Sequence, residues 1–245
     1  MSPNKREREY ARRRYERYQE HQATKAKHRH QRNIAGALLG VLVLVLGVGL
    51  TVTLTTNRAA DAPTPTPSAT YTLPAPSAAG ARTWTGTITT NVGNIGIELD
   101  GTAAPQAVAS FVSLAKQGYF DKTTCHRLAT GTTKILQCGD PTGTGTGGPG
   151  YTFGPVENAP ANGVYPAGTI AMARAADNGS SMGSQFFLVY GDSTIPADTA
   201  GGYTVFGRMT SGLDVVTAVA DAGVQGGGPD GPPVTGVTIQ GVETQ

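Results

Sequence analysis

The sequence predicts a closed β barrel whose open ends are covered by two helices, preceded by a single membrane-spanning helix. Three observations predict this architecture. The C-terminal part of the chain holds many short runs that alternate between apolar and polar residues, but only two segments with helical periodicity. Glycine is abundant and charge is sparse after residue 60, which favours a turn-rich β domain over a helical bundle. One long uncharged apolar segment comes before this region.

Residues 1–33 form a basic segment that holds 11 of the 19 Lys and Arg residues but only 4 of the 17 acidic residues. No wide apolar stripe runs through this segment, so we expect a solvated arm. Binding to nucleic acid and contact with anionic lipid headgroups are the alternatives. The apolar segment that follows favours lipid contact, and a nucleic-acid partner is not expected.

Residues 34–54 carry no charge over 21 positions. At about 1.5 Å per residue, a helix of this length crosses a hydrocarbon core of about 30 Å. Because the basic arm comes directly before it, the positive-inside rule places the N-terminus in the cytoplasm and the rest of the chain outside. A cleaved signal peptide is the alternative, but the preceding segment is too long and Arg58 stands where a cleavage site needs a small residue. We therefore expect an uncleaved single-pass anchor in the cell membrane, in contact with the lipid bilayer.

Residues 55–81 are rich in Pro, Thr, Ser and Ala and predict an extended linker. Residues 82–245 then form the folded domain. The first helix begins at Pro105, which suits the first turn of a helix. The expected strands cover about 83–91 and 95–99, two strands around 125–140, then 168–174, 185–190, 203–209 and 234–242, with a second helix at about 211–221.

The stretch from Cys125 to Asp140 carries a candidate site. Arg127 lies on one expected strand, a turn follows near Gly131, and Gln137 lies on the next strand. Strands of a hairpin lie side by side, so Arg127 and Gln137 are expected to project from the same face. Directed donors beside an apolar surface suit a neutral polar ligand such as a peptide. No Ser-His-Asp set, carboxylate pair or metal-ligand spacing accompanies them, so hydrolysis, a metal and a cofactor are not expected.

Three separated motifs occur in order: HR…QCGD with GTGTGGPGY, then AMA…GSQFF, then YTVFG. Through this set, residues 84–243 resemble the cyclophilins, the peptidyl-prolyl cis-trans isomerase family, and are most similar to bacterial, particularly actinobacterial, members. The resemblance implies an eight-stranded antiparallel barrel with two capping helices. It also implies catalysed rotation about X-Pro bonds in proline-containing peptides and in unfolded or folding proteins. A non-catalytic peptide-binding or scaffolding module on the same fold is the alternative.

The resemblance implies roles for individual residues. Arg127 takes the place of the catalytic Arg, and Gln137 that of a Gln that hydrogen-bonds the peptide backbone. Phe187 takes the place of the aromatic floor of the proline pocket. The other implied substrate-binding residues are Ile135 in the pocket wall, Ala173 and Arg174 in a backbone clamp, Gln185 beside Phe187, Ile195, and Tyr203.

Two positions depart from the family pattern. Lys134 stands where a Phe is usual, and Ile195 stands where a Trp is usual. The proline pocket is therefore expected to be less aromatic and to fit the ring less closely. Activity is still expected, because Arg127, Gln137 and Phe187 are present.

Further expectations concern buried side chains. Neighbours on a strand point to opposite faces, so Phe186 is expected in the core and Phe187 in the pocket. His126 is expected to be a barrel residue with satisfied hydrogen bonds. Cys125 and Cys138 lie on the two hairpin strands, and if directly opposed they allow a disulfide that would persist outside the cytoplasm. Two buried thiols are the alternative.

Overall fold

A computed structural model describes residues 71–245. The strands are Thr83–Thr90 (β1), Gly93–Asp100 (β2), Arg127–Thr130 (β3), Lys134–Cys138 (β4), Val164–Tyr165 (β5), Thr169–Met172 (β6), Phe186–Val189 (β7), Ser193–Thr194 (β8), Val205–Met209 (β9), Asp230–Gly231 (β10) and Ile239–Thr244 (β11). The helices are Pro105–Lys116 (α1) and Leu213–Asp221 (α2), with 3-10 turns at Pro76–Ala79 and Gln225–Gly227. Neither helix of this described region has the length and apolar character to cross a membrane. The predicted arm 1–33 and span 34–54 lie outside the described residues.

Nine strands form one curved antiparallel sheet in the order β10-β3-β4-β7-β6-β9-β2-β1-β11, and β5 pairs with β8 in a separate ribbon. The mainly β architecture with two helices is confirmed. The strand count differs from the predicted eight, because β5, β8 and β10 are two-residue strands too short to give a periodic pattern. The edge strands β10 and β11 share no ladder within residues 71–245.

Alternation along the strands gives the sheet two apolar faces. Leu128, Leu136 and Phe186 point into the main core, which α1 covers. Their neighbours Ile135 and Phe187 belong to a second, smaller apolar cluster on the opposite face. The predicted division of Phe186 and Phe187 between core and outer face is confirmed. The second cluster is the surface on which the candidate site is built.

Helix α1 is held by an aromatic contact in the core and by hydrogen bonds at its N-terminus. The Phe111 ring lies 5.4 Å from that of Phe186, in an edge-on arrangement in the core. At the N-terminus, the Glu157 carboxylate accepts hydrogen bonds from the backbone N–H groups of Gln106 and Ala107, both at 3.0 Å. These donors have no partner within the helix, so a carboxylate there stabilises it.

The folded domain begins before the predicted boundary at residue 82. Ala79 is fully buried, and its carbonyl accepts a hydrogen bond from the Trp84 indole at 2.8 Å. The Tyr71 ring packs edge-on against Tyr119 with 4.8 Å between centroids. Residues 71–81 have the composition of the predicted linker, but their small residues pack closely against α1. The predicted linker 55–81 therefore extends too far at its C-terminal end.

Candidate active site

A groove of about 500 Å³ opens on the second apolar face of the sheet. Strands β3, β4, β7 and β10 contribute to it, together with the segments after β6 and before β9. It is lined by His126, Arg127, Thr133, Ile135, Gln137, Thr144, Gly145, Ala173, Arg174, Phe187, Ile195, Tyr203, Asp230 and Gly231. Of the predicted catalytic and substrate-binding residues, only Gln185 lies outside this set, and it lines an adjoining cavity of about 350 Å³. The structure thus brings together residues from four separated parts of the chain.

Arg127 and Gln137 are directly opposite each other on β3 and β4. The guanidinium Nη1 donates to the Gln137 Oε1 at 3.1 Å. The expectation that the two side chains share one face is confirmed. Gln137 therefore holds one side of the Arg127 head group.

Asp230 holds the other side of that head group. Arg127 Nε donates to Asp230 Oδ1 at 2.8 Å, and Nη2 donates to Oδ2 at 2.6 Å. These hydrogen bonds raise the pKa of Arg127 and lower the pKa of Asp230, so both groups stay ionised at neutral pH. A guanidinium has five N–H donors, and three are engaged here by protein acceptors. The other two have no acceptor among residues 71–245 and remain for a ligand.

The Gln137 amide continues this hydrogen-bonded chain across the sheet. Its Nε2 donates to Gln185 Oε1 at 2.8 Å. Gln185 in turn donates to the carbonyls of Gly145 and Gly147, at 3.0 and 2.9 Å. The orientation of Arg127 is thereby linked to the glycine-rich loop 141–150.

Asp140 fixes that loop from inside. Its carboxylate is fully buried and accepts from Thr142 N–H, Thr142 Oγ1, Gly145 N–H and Gly147 N–H. Burial opposes ionisation, but these hydrogen bonds outweigh it and lower the pKa of Asp140 to about 2. A Cβ at position 147 would collide with the Asp140 carboxylate, so the loop requires glycine there.

The groove has an apolar floor. Phe187 is 2% exposed, and the Tyr203 ring stands nearly perpendicular to it with 5.6 Å between centroids. Ile135 and Ile195 belong to the same apolar cluster. Lys134, the departure in the hairpin, is exposed and does not line the groove. The floor therefore remains apolar despite both departures.

Arg174, unlike Arg127, has no N–H group left to donate to a ligand. Its side chain is 0% exposed, and all five N–H groups are engaged by Asp198, Ala175, Gly201 and Gly202. The guanidinium also stacks over the Tyr203 ring at 4.7 Å. Arg174 thus holds a loop and a pocket wall in place, and only its backbone is available as the predicted clamp.

His126 lines the groove next to Arg127. Both ring nitrogens are buried, and neither has a hydrogen-bond partner among the residues that the structure describes. The expectation of satisfied hydrogen bonds is therefore wrong. Burial lowers the pKa of His126, which favours the neutral imidazole beside the cationic Arg127.

A disulfide joins Cys125 to Cys138. The two residues are not directly opposed, because the register that pairs Arg127 with Gln137 would place Cys138 opposite His126, one residue along from Cys125. The disulfide therefore links the segment just before β3 to the end of β4. Cys125 precedes His126 and Cys138 follows Gln137, so the disulfide lies next to two residues that line the groove.

Asp230 was missed from the sequence. It lies 103 residues from Arg127, within a run of Gly and Pro that is typical of a turn. The sequence gives no signal that this turn forms a strand beside β3. His126 was recognised but was not assigned to the site.

A family model described as "Cyclophilin type peptidyl-prolyl cis-trans isomerase/CLD" matches residues 85–244. The match covers most of the chain, which therefore belongs to the cyclophilin family.

Curated relatives carry related names. The chain is 50% identical over 168 residues to the "Probable peptidyl-prolyl cis-trans isomerase B" of Mycobacterium tuberculosis. This alignment covers 64% of this chain and 53% of the relative. It is 41% identical over 142 residues to the "Peptidyl-prolyl cis-trans isomerase B" of Bacillus subtilis, covering 57% of this chain and 93% of the relative. The matched region thus spans about half the length of the mycobacterial relatives.

Among solved structures, a cyclophilin-type isomerase of Cryptosporidium parvum, crystallised in the presence of the dipeptide Ala-Pro, superposes with a TM-score of 0.55 and 28% identity. The superposition covers 66% of this chain and 98% of that one.

Proposed function

We propose that this protein is a peptidyl-prolyl cis-trans isomerase that acts on X-Pro bonds of peptides and folding proteins. The observation that carries the proposal is that Arg127, with two N–H donors that have no acceptor among the described residues, lines the same groove as the apolar floor formed by Phe187. The family and the names of its relatives support the same activity.

The proposed mechanism follows from amide resonance. Rotation about a peptide bond is opposed by a barrier of about 18–20 kcal/mol, because the nitrogen lone pair is delocalised into the carbonyl. In the twisted amide this lone pair is localised, and the prolyl nitrogen becomes a hydrogen-bond acceptor. A donor placed against that nitrogen binds the transition state more strongly than either planar isomer.

The groove supplies both parts of this mechanism. The apolar cluster of Ile135, Phe187 and Tyr203 takes up the proline ring by excluding water from it. Arg127 donates to the prolyl nitrogen, and the Gln137 amide orients both the guanidinium and the peptide backbone. No proton is transferred, so a cation that stays ionised suits the step.

The proposal is tested by the rate of cis-trans isomerisation of an X-Pro peptide. We expect Arg127→Ala to lower kcat/KM at least about 100-fold, as for the loss of one preorganised transition-state donor. Arg208→Ala is the matched control, since Arg208 forms an exposed ion pair with Glu98 away from the groove and should keep the wild-type rate. An inactive wild type would favour the peptide-binding module instead, as would an unaffected Arg127→Ala.

We further propose that residues 34–54 anchor the chain in the cell membrane with the isomerase domain outside. The uncharged segment and the basic arm before it support this topology. The Cys125–Cys138 disulfide is also expected in an oxidising compartment. Protease added to intact cells should degrade the isomerase domain, and a protected domain would refute this orientation.

The finer fold proposal is that the curved sheet closes into a barrel of the family type. The segment before β3 supports closure, because Cys125 N–H donates to the Val237 carbonyl at 3.0 Å and Lys122 N–H donates to the Ile239 carbonyl at 2.7 Å. Thr124 also forms an isolated bridge to Thr238. Protection of the amides of residues 122 and 125 from hydrogen exchange would support closure, and rapid exchange would contradict it.

A further inference from the structure

Asp230 lies where backbone contacts fix its carboxylate beside Arg127. In the ladder between β10 and β3, Asp230 is opposite Ala129, two residues along from Arg127. Residues two apart share a face, so Asp230 and Arg127 are diagonal neighbours on the groove side. The preceding carbonyl, that of Pro229, accepts from Thr130 N–H at 2.8 Å.

The Arg127–Asp230 pair is poorly suited to stabilising the fold. The two side chains are 42% and 47% exposed, and ion pairs that are so exposed contribute little to stability because water screens them. A second exposed pair, Arg208–Glu98, offers a comparison. There Nε and Nη2 of Arg208 both donate to a single oxygen, Glu98 Oε1.

Arg127 is held differently. Its Nε and Nη2 donate to separate oxygens of Asp230, which defines the plane of the guanidinium as well as its position. The third bond, from Nη1 to Gln137, prevents rotation away from that plane. The orientation of the two remaining N–H groups of Arg127 is therefore fixed.

We propose that Asp230 is a positioning residue that orients the Arg127 guanidinium toward the bound prolyl nitrogen. The inference rests on the proposed isomerase function. Preorganisation of this kind acts on the chemical step, since without Asp230 the long Arg side chain must be ordered anew in each transition state. The effect is therefore expected in kcat more than in KM.

The kinetic test compares Asp230→Ala and Asp230→Asn with the wild type in the full-length chain. We expect Asp230→Ala to lower kcat about tenfold with KM changed less than about twofold, because positioning losses act on the reacting geometry. Asp230→Asn keeps one acceptor oxygen and should retain part of the lost rate. Urea unfolding of each variant should match the wild type, which separates positioning from loss of fold.

A second readout does not depend on activity. In protein labelled with ¹⁵N-arginine, the Nε–H signal of Arg127, assigned by its absence in Arg127→Lys, should exchange slowly with solvent in the wild type. Asp230→Ala should broaden or shift that signal, because the acceptor of the Nε–H group is gone. Glu98→Ala is the matched control, removing the carboxylate of the Arg208 pair, and should leave both the rate and the Arg127 signal unchanged.

A wild-type kcat in Asp230→Ala would overturn the proposal, as would a loss confined to KM or an unchanged Arg127 signal. An inactive wild type would instead refute the proposed isomerase function. The Arg127 signal would still decide whether Asp230 holds the guanidinium.

Discussion

Replacing Asp140 by Asn tests whether the glycine-rich loop supports the site. In the wild type, one carboxylate oxygen accepts from the Thr142 backbone and hydroxyl, and the other accepts from Gly145 and Gly147. An Asn side chain keeps one acceptor oxygen but presents an NH₂ group to the other pair of donors. If the oxygen stays with Thr142, the Gly145 and Gly147 N–H groups lose their acceptor.

The structure sets the size of the effect. Asp140 is 0% exposed, so the Asn NH₂ group would be a buried donor that faces the Gly145 and Gly147 N–H groups, and one unsatisfied buried donor predicts a loss of about 1–3 kcal/mol in the free energy of unfolding. Activity should fall as well, because the Gly145 and Gly147 carbonyls hold Gln185, which holds Gln137.

The effect should also depend on pH. The folded-state pKa of Asp140, about 2, lies below its ordinary value of 3.8. The stability that the ionised Asp140 contributes is therefore complete above pH 3.8 and is lost as the pH falls toward about 2. The difference between wild type and Asp140→Asn should stay constant from pH 7 to pH 5 and shrink below pH 4.

Urea unfolding of both proteins between pH 7 and pH 2.5 measures this difference. Asp100→Asn is the matched control, because the exposed Asp100 uses a single oxygen, Oδ1, to accept from Thr102 and Ala103 N–H, and Asn keeps that oxygen. It should change stability by less than about 0.5 kcal/mol. A loss below 1 kcal/mol for Asp140→Asn at pH 7, or one that is the same at pH 2.5, would refute this account of the loop.

Two other predictions follow from the described contacts. Mass spectrometry of the non-reduced protein should show two protons fewer than the reduced form, and reduction of Cys125–Cys138 should lower the free energy of unfolding by about 3 kcal/mol, as expected for a short closed loop; two alkylatable thiols before reduction would contradict this. Glu157→Gln should lower stability by about 1 kcal/mol, because one carboxylate oxygen and the charge at the start of α1 are lost. Urea unfolding checks the second prediction, and unchanged activity is expected because Glu157 does not line the groove.

Much of the site could be predicted because its residues lie in strands with a clear period of two. The pairing of Arg127 with Gln137 follows from a short hairpin, and the outward position of Phe187 follows from the inward position of Phe186. Local sequence was sufficient in these cases, since each contact joins neighbours in a strand or across one turn.

The remaining features depend on contacts between distant segments. Asp230 reaches Arg127 only because a Gly- and Pro-rich turn adds a two-residue strand to β3. Arg174 becomes a buried anchor because the carbonyls of Gly201 and Gly202 come back to it from a loop. The start of the domain was misplaced for a related reason, since residues around Ala79 gain their order from packing on Trp84 and α1.

Arg127 is proposed to lower the barrier to rotation about the X-Pro bond without being needed to hold the peptide. Two-dimensional exchange NMR of an X-Pro peptide with the full-length chain measures both quantities, since exchange cross-peaks report turnover and shift changes report binding. We predict cross-peaks with the wild type, and binding without cross-peaks for Arg127→Ala. Binding without exchange in the wild type would contradict the account, and so would undiminished exchange in Arg127→Ala.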